Sequence, residues 1–255
     1  MVFDYQGKSV AVTGAGGGLG SALAADLERR GAVVTRITRQ GGPGLTLETW
    51  VPYLYDMLIL NAGFGMIEQA NLSLETDDFE AMVDLNLIVP IRDAQSALED
   101  GCEHVHVVGS IISVVGSPLY SLYAATKYGL RGWAYSAARE LPGRVSISYP
   151  NGIRTNYFAN LRGNADLLAV YAKQVQQAQA EYDTPEAVAE GILTGMRYGA
   201  REIIPTRYAL EWFVRNEEDI RRMWHPGLVT PSLEPFPWWN EVAAWWDGCN
   251  ATKDA

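Results

Sequence analysis

A chain of 255 residues can form one large α/β domain or two small ones, and 48% hydrophobic with 20% charged residues is typical of a globular protein. The net charge of −10 argues against nucleic acid or an anionic membrane surface as a partner. Two cysteines, Cys102 and Cys249, have neither metal nor disulfide spacing and favour a reduced cytoplasmic compartment. The N-terminus MVFDYQGKSV does not resemble a signal peptide, and no segment reaches the roughly 20 apolar residues that span a bilayer.

A glycine-rich turn between a strand and a helix is the first motif. The run Ser9 to Val12 predicts a strand, the pattern from Ser21 to Arg30 predicts a helix, and TGAGGGLG lies between them. This order is typical of a dinucleotide-binding fold, in which the pyrophosphate lies at the helix N-terminus; a flexible glycine loop is the alternative. The predicted cofactor contacts are Gly14 in the tight turn, Gly16, Gly18 at the pyrophosphate, Leu19, and Gly20 where helix and strand pack.

The end of the second predicted strand indicates which cofactor binds. Ala32 to Ile37 is followed by Thr38 and Arg39, at the place where an NAD-binding fold carries an acid for the ribose 2′-hydroxyl. An arginine there suits the 2′-phosphate of NADP, because its guanidinium forks onto phosphate oxygens. We therefore predict that Thr38 and Arg39 bind the cofactor, with NADP(H) preferred and NAD(H) possible. The alternative is a surface arginine in a loop, and Arg36 is a weaker candidate for the contact.

The chain from Gln40 to Tyr55 is short for an α/β crossover. We expect a brief strand at Leu45 to Leu47 and only about two helical turns from Glu48. A second buried strand, Leu58 to Leu60, follows the crossover.

From Thr76 to Leu98 the pattern predicts a helix that is broken only at Pro90. Asn86 lies in this helix among leucines, isoleucine and valine. It is either buried, in which case it needs hydrogen-bond partners, or simply exposed.

Tyr123 and Lys127 are four residues apart in a stretch that we predict to be helical from about Ser121. They lie on one helix face, where an ammonium lowers the pKa of a phenol toward the range in which it exchanges protons. Ser110, at the end of the apolar strand His104 to Gly109, can hold a substrate oxygen beside the phenol. Taken alone, such a pair also arises by chance on amphipathic helices.

In order along the chain, these motifs resemble the short-chain dehydrogenase/reductase family. The match runs over about Lys8 to Thr155 and continues more loosely to about Pro205. The resemblance implies an α/β fold, namely a single Rossmann-like doubly wound domain with a mainly parallel, seven-stranded sheet. It implies that Asn61, Ala62, Gly63, Tyr123, Lys127, Ile153 and Thr155 bind the cofactor, and that Asn86, Ser110, Tyr123 and Lys127 are catalytic.

The resemblance also implies a role for each catalytic residue. Tyr123 is the general acid/base, and Lys127 lowers its pKa and binds the nicotinamide ribose. Ser110 orients the carbonyl, and Asn86 supports a proton relay through water. Family members often pair through the helices that here contain Asn86 and Lys127, which implies a homodimer or homotetramer.

Two departures from the family pattern matter. After the strand Val145 to Tyr149, the usual Pro-Gly is Pro150-Asn151, and we expect Asn151 to adopt a left-handed backbone, which asparagine tolerates. Ile153 and Thr155 then lie near the nicotinamide carboxamide, with Thr155 the better candidate for a hydrogen bond. The crossover lacks an aspartate for the adenine, which leaves backbone and apolar surface for that contact.

The chain after the active-site strand is expected to cover the substrate. Tyr157 to Tyr182 reads as helical, and the family resemblance implies a mobile lid here (about 157–183) whose inner face selects what binds; an ordinary packing helix is the alternative. Thr184 as N-cap and Pro185 at the first position begin a helix through about Arg197. Glu202 to Pro205 is a plausible last strand.

We divide the chain into a dinucleotide-binding and catalytic domain, 1–207, and a C-terminal extension, 208–255. The extension holds six of the eight tryptophans, namely Trp212, Trp224, Trp238, Trp239, Trp245 and Trp246. Three roles remain open for it: packing on the same domain or on a neighbouring subunit, closing over the substrate pocket, or lying on a membrane.

No other chemistry competes. His104 and His106 could place two metal ligands on one strand face, but no third ligand has suitable spacing, so packing is favoured; His225 is isolated. The sequence predicts an NADP(H)-dependent oxidoreductase that reduces a carbonyl compound to a secondary alcohol, or the reverse. The alternatives are an NAD-dependent alcohol dehydrogenase and a dinucleotide-binding redox sensor without turnover.

Overall fold

The computed structural model of the chain describes residues 3–38, 45–46, 55–68, 76–163 and 165–215. A compact unit extends over Met1–Asn216. Several predictions lie outside the described residues: the cofactor contact of Arg39, the helical turns from Glu48, and the tryptophan-rich extension beyond 215 with His225 and Cys249.

Seven parallel strands form the central sheet, as predicted. In chain order they are β1 (Ser9–Thr13), β2 (Val33–Thr38), β3 (Leu45–Thr46), β4 (Met57–Leu60), β6 (His104–Val108), β7 (Val145–Ser148) and β9 (Glu202–Ile203). Their order across the sheet is β3-β2-β1-β4-β6-β7-β9, and every pairing within it is parallel. Two short strands, β5 (Met66–Ile67) and β8 (Arg162–Gly163), form a separate parallel pair.

Helices cover both faces of the sheet. They are α1 (Gly18–Arg29), α2 (Thr76–Val83), α3 (Val89–Glu99), α4 (Ser121–Glu140), α5 (Ala165–Ala178), α6 (Pro185–Arg197) and α7 (Arg207–Arg215). Side chains alternate along each strand, so β1 sends Val10 and Val12 toward α1 and α6, and Ala11 toward the opposite face, which packs on α3 and α4. This three-layer arrangement is the doubly wound fold that the sequence predicts.

The predicted starts and ends of most elements are close to those observed. Thr184 caps α6 through a hydrogen bond from the N–H of Ala187 to its side-chain oxygen (3.1 Å), as predicted. Trp212 and Phe213 on α7 pack against the core face that contains α4. None of the described helices is long and apolar enough to cross a membrane.

The predicted helix from Thr76 to Leu98 is wrong about where the break lies. The chain forms a π-helical turn over Asp84–Ile88, between α2 and α3, and Asn86 sits in it. Pro90 explains the position, because proline has no N–H to donate four residues back and its ring would clash with the Asn86 carbonyl. The strain therefore appears one turn before the proline.

The lid segment is also not one helix. A 3₁₀ turn at Phe158–Asn160 is followed by β8, which pairs with β5, and only then does α5 begin. Gly163 makes this pairing possible, because its φ is +127° and an added Cβ would overlap the carbonyl oxygen of Ile67. The first residues of the lid are thus held against β5.

Two buried histidines join β6 to β7. His104 bonds to the Gly143 carbonyl (2.9 Å) and the Ser146 hydroxyl (2.7 Å), while His106 bonds to Ser146 (2.8 Å) and Ser148 (3.0 Å). Burial lowers the pKa of His104 to about 4 and the pKa of His106 well below its usual value, so both rings are neutral. Among the described residues there is no group of side chains that could hold a metal. The packing role predicted for both histidines is confirmed.

Candidate active site

Several predicted site residues that the structure describes lie at the carboxyl ends of β1, β4 and β6, next to the point where the strand order of the sheet reverses. Thr13 fixes this crevice: its side-chain oxygen accepts hydrogen bonds from the N–H groups of Asn61 (2.9 Å) and Ala62 (3.1 Å). The Asn61 side chain donates in return to the Thr13 carbonyl (3.0 Å). The ends of the two strands are therefore held at a fixed separation.

The glycine-rich loop is packed so tightly that side chains would not fit at three of its positions, Gly14, Gly18 and Gly20. Gly14 has a φ of +68°, and a Cβ there would lie 2.9 Å from the Asn61 amide nitrogen. A Cβ on Gly20 would overlap the carbonyl oxygen of Gly14, which confirms the close helix-to-strand approach predicted for this glycine.

The N-terminus of α1 is open to an anionic ligand. Gly17 precedes the helix and has no side chain that could cap it. The first-turn N–H groups of Gly18, Leu19 and Gly20 therefore point out of the helix end with no side-chain acceptor from the cap position. The side chain of Leu19 is buried in the core, which leaves its backbone amide as the group available to a ligand. These donors fit the pyrophosphate of a dinucleotide.

Two further predicted cofactor residues lie beside this loop. A Cβ on Gly18 would overlap the Thr155 methyl group, and one on Gly16 would lie 3.4 Å from the Thr38 methyl group. Thr155 and Thr38 therefore flank the loop from opposite sides. Arg36 is turned away and pairs with Glu28 (3.0 Å), in agreement with its lower ranking as a phosphate contact.

Ser110 begins the loop that leads from β6 to α4. Its side-chain oxygen accepts a hydrogen bond from the N–H of Ile112 (3.2 Å), and its own N–H donates to Ser113 (3.1 Å). This reciprocal capping fixes the Ser110 hydroxyl, which lies close enough to the Tyr123 phenol to lower its pKa.

Tyr123 and Lys127 lie one turn apart on α4, and both are buried. The Lys127 ammonium donates to the Val108 carbonyl (3.1 Å) and lies 5.7 Å from the centroid of the Tyr123 ring. Burial lowers the pKa of Lys127 to about 8. Gly63 lies next to Lys127 and to the Asn86 side chain, since a Cβ there would be 3.9 Å from Nζ and 2.9 Å from Oδ1.

The electrostatics of Tyr123 differ from the expectation. Burial raises the pKa of Tyr123, and the neighbouring hydroxyls of Tyr157 and Ser110 oppose the rise. The lowering expected from Lys127 does not dominate, because the ammonium is bonded to the Val108 carbonyl and lies over the ring. Tyr123 is therefore a protonated donor in this structure.

Asn86 is buried, and both its amide oxygen and its amide nitrogen are hydrogen-bonded. Its side-chain oxygen accepts from the N–H of Phe64 (3.0 Å), and its amide nitrogen donates to the Phe64 carbonyl (2.8 Å). Asn86 thus ties the π-helical turn to the chain just after Gly63. Of the two possibilities left open by the sequence, the buried one is confirmed.

Asn151 does not have the left-handed backbone that we expected. Among the described residues other than glycine, only Leu119 has a positive φ (+67°). An ordinary backbone is possible at Asn151 because the chain runs directly on to Ile153, which pairs with Asp183 at the base of the lid. The amide nitrogen of Asn151 is buried without a hydrogen-bond partner in the described structure.

Glu68 is a residue that the sequence reasoning missed. It is 5% exposed, and its Oε1 accepts from the Ser121 hydroxyl (2.6 Å) and the Leu122 N–H (2.7 Å) at the start of α4. Its N–H donates to the carbonyl of Leu119, the residue with positive φ (3.0 Å). Glu68 thus supplies the cap that α4 lacks and holds the loop before Tyr123. An acid directly after the apolar Met66-Ile67 was the available signal.

Tyr157 was also missed, having been treated only as the start of the lid. Its ring lies 6.5 Å from that of Tyr123, centroid to centroid, and a Cβ on Gly65 would overlap its hydroxyl oxygen. Burial raises the pKa of Tyr157, and the phenol of Tyr123 beside it raises it further. No residue pattern marks this position, because only the folded lid brings the two rings together.

Comparison with known proteins agrees with this geometry. A family model described as short chain dehydrogenase matches residues 54–166. The 17-beta-hydroxysteroid dehydrogenase type 1 of Mus musculus is 31% identical over 161 residues, which cover 56% of this chain and 46% of that protein. The chain thus matches about half the length of this curated relative.

Two solved structures share the fold. A short chain dehydrogenase from Burkholderia cenocepacia J2315 in complex with NADP has a TM-score of 0.68 at 20% identity, covering 89% of this chain and 100% of that one. A short chain dehydrogenase/reductase from Burkholderia phymatum in complex with NAD has a TM-score of 0.72 at 16% identity, covering 91% and 100%. The family model, the curated relative and the shared fold all show that the chain is similar to members of the short-chain dehydrogenase/reductase family.

Proposed function

We propose that the protein is an NADP(H)-dependent oxidoreductase that interconverts a carbonyl compound and a secondary alcohol. The observation that carries the proposal is the meeting of the Ser110 hydroxyl and the Tyr123 phenol beside the glycine-rich crevice, with Lys127 one turn away. A site built only to bind a dinucleotide has no need of these hydroxyls, which argues against a redox sensor without turnover.

Each side chain has a stated task in this mechanism. When bound, the nicotinamide supplies or accepts the hydride. Ser110 and Tyr123 hold the substrate oxygen, and in the reductive direction Tyr123 gives its proton to that oxygen. Lys127 stabilises the resulting phenolate and binds the nicotinamide ribose, and Asn86 supports the path by which the proton is replaced.

The cofactor contacts rest on the loop and the strand ends. We assign Gly14, Gly16, Gly18, Leu19 and Gly20 to the pyrophosphate side, and Asn61, Ala62, Gly63, Ile153 and Thr155 to the nicotinamide side. Thr38, beside Gly16, and Arg39 after it are assigned to the adenosine ribose and its 2′-phosphate. Structural relatives in complex with NADP and with NAD make both cofactors reasonable, and Arg39 favours NADP. A cytoplasmic homodimer or homotetramer remains part of the proposal.

The test is a titration with NADPH and with NADH, followed by a screen of ketones with the tighter cofactor. Tyr123→Phe removes only the proton donor, so turnover should fall by about 10²- to 10⁴-fold while NADPH binding is retained. Steady-state kinetics and equilibrium binding measure the two effects separately. If Tyr123→Phe keeps most of the activity, the proposed mechanism is wrong. If NADH binds more tightly than NADPH, the proposed preference for NADP(H) is wrong and the enzyme prefers NAD(H).

A further inference from the structure

Five aromatic rings around Tyr123 form a closed circuit. Successive centroid distances are 5.7 Å from Tyr120 to Tyr123, 6.5 Å to Tyr157, 5.4 Å to Phe158, 6.4 Å to Tyr171, and 5.6 Å back to Tyr120. These separations are typical of aromatic pairs that attract each other beyond simple burial. We call these five residues the aromatic circuit.

The circuit is shared between two parts of the molecule. Tyr120 and Tyr123 belong to the frame at the start of α4, whereas Tyr157, Phe158 and Tyr171 belong to the lid. Leu161, Met66 and Ile67 complete an apolar cluster around the rings. The space next to the Tyr123 phenol is therefore enclosed by flat apolar surfaces.

Tyr157 occupies the part of this space that a substrate needs. Substrate oxygen must reach the Ser110 hydroxyl and the Tyr123 phenol, and the Tyr157 ring packs beside that phenol, with its centroid 6.5 Å from the centroid of the Tyr123 ring. The Tyr157 hydroxyl oxygen is buried, yet no atom of the described residues is placed to hydrogen-bond it with good geometry. A buried hydroxyl without a settled partner is expected to be displaced at little cost.

Gly65 gives the Tyr157 phenol its room. A Cβ on Gly65 would overlap the Tyr157 hydroxyl oxygen and would lie 2.6 Å from a methyl group of Leu161. Gly65 is not among the glycines with positive φ, so its backbone does not demand a glycine. A glycine at position 65 is therefore explained by sterics: it leaves space for the hydroxyl-bearing ring of Tyr157 beside Tyr123.

We propose that Tyr157 holds the place of the substrate's ring and is a specificity-determining residue, so that the site selects carbonyl compounds with an aromatic ring next to the carbonyl, such as aryl ketones. The inference rests on the proposed function and adds a substrate class to it. An aryl ketone carries its ring on the carbon that bears the oxygen, so its ring can take the place of the Tyr157 ring beside Tyr123 and complete the aromatic circuit when Tyr157 moves aside.

The test uses p-cresol, the free equivalent of a tyrosine side chain, measured by calorimetry without cofactor. Tyr157→Ala should bind p-cresol about tenfold or more tightly than the wild type, because the internal competitor is gone. Adding Gly65→Ala to that variant should abolish the gain, since the new methyl group takes the place of the phenol oxygen. Phe158→Ala, a ring of the same circuit that does not adjoin Tyr123, is the matched control, and it should not bind p-cresol more tightly than the wild type, because Tyr157 stays in place.

A second measurement uses the wild type and so does not depend on how the variants fold. Acetophenone should displace p-cresol and bind about tenfold more tightly than 2-octanone, a flexible ketone with the same number of carbons. Equal binding of the two ketones, or a gain in Tyr157→Ala that survives Gly65→Ala, would overturn the inference. Because these are binding measurements, they succeed or fail independently of turnover, whereas loss of the proposed function would appear as bound ketone that NADPH never reduces.

Discussion

Buried polar groups are treated in opposite ways in the middle of the sheet and beyond its strand ends. Between β6 and β7, each ring nitrogen of His104 and His106 has a partner, and Ser146 bridges the two rings. Three buried side-chain atoms of the described residues have no hydrogen-bond partner, and they belong to Glu68, Asn151 and Tyr157. Each of these residues lies near the strand ends or α4, where the candidate site is.

This difference in hydrogen bonding distinguishes groups that stabilise the fold from groups that are available to bind a ligand. A buried donor or acceptor without a partner costs about 1 to 3 kcal/mol, so a chain keeps it only where something else offsets the cost. The histidines are satisfied by their own fold and need no ligand. The atoms around Tyr123 are incompletely satisfied by the fold, which is expected of groups that complete their hydrogen bonds with substrate or cofactor.

The largest effect on stability is expected from removing a hydrogen-bond partner of the buried histidines between β6 and β7. Ser146→Ala leaves one nitrogen of His104 and one of His106 unpaired, and should lower the free energy of unfolding by about 2 to 4 kcal/mol. Ser148→Ala leaves only one nitrogen of His106 unpaired and should cost about half as much. Denaturant unfolding of both variants checks the ratio. Equal losses would mean that the hydroxyl bridge is not what satisfies the histidines.

Glu68 combines the two kinds of buried group, because its Oε1 accepts two hydrogen bonds and its Oε2 has no hydrogen-bond partner among the described residues. Glu68→Ala removes the cap of α4 and should cost about 1 to 2 kcal/mol, with a loss of turnover because the loop before Tyr123 is released. Glu68→Gln keeps an acceptor for the Leu122 N–H and should recover most of both. Thermal unfolding and kinetics are measured together; if Gln is as damaging as Ala, the carboxylate charge and not the cap is what matters.

The sequence was sufficient for those parts of the site that local pattern determines. The glycine turn needs only neighbouring residues, and Tyr123 and Lys127 share a face because of helix periodicity. The resemblance to the short-chain dehydrogenase/reductase family, which these motifs carry, then implied the catalytic roles of Asn86, Ser110, Tyr123 and Lys127 before any fold was available.

What escaped prediction depends on contacts between distant parts of the chain. Glu68 reaches Ser121 across 53 positions, and Tyr157 meets Tyr123 only after β8 pairs with β5. The π-helical turn at Asn86 was missed because the constraint from Pro90 acts four residues earlier. The conformation of Asn151 was misjudged because a glycine in the family pattern was taken to mean a left-handed backbone.

Asn151 offers the smallest and most selective test of the comparison. Replacing it by Ala removes the unpaired amide and keeps a Cβ that its backbone tolerates, so stability should rise or stay level. Asn151→Gly removes the same amide but adds backbone freedom to the unfolded chain, and should be about 0.4 to 1 kcal/mol less stable than Asn151→Ala. Differential scanning calorimetry resolves this order. The reverse order, with Gly the more stable, would place residue 151 in the left-handed region after all, because only there does a Cβ cost more than the freedom of glycine.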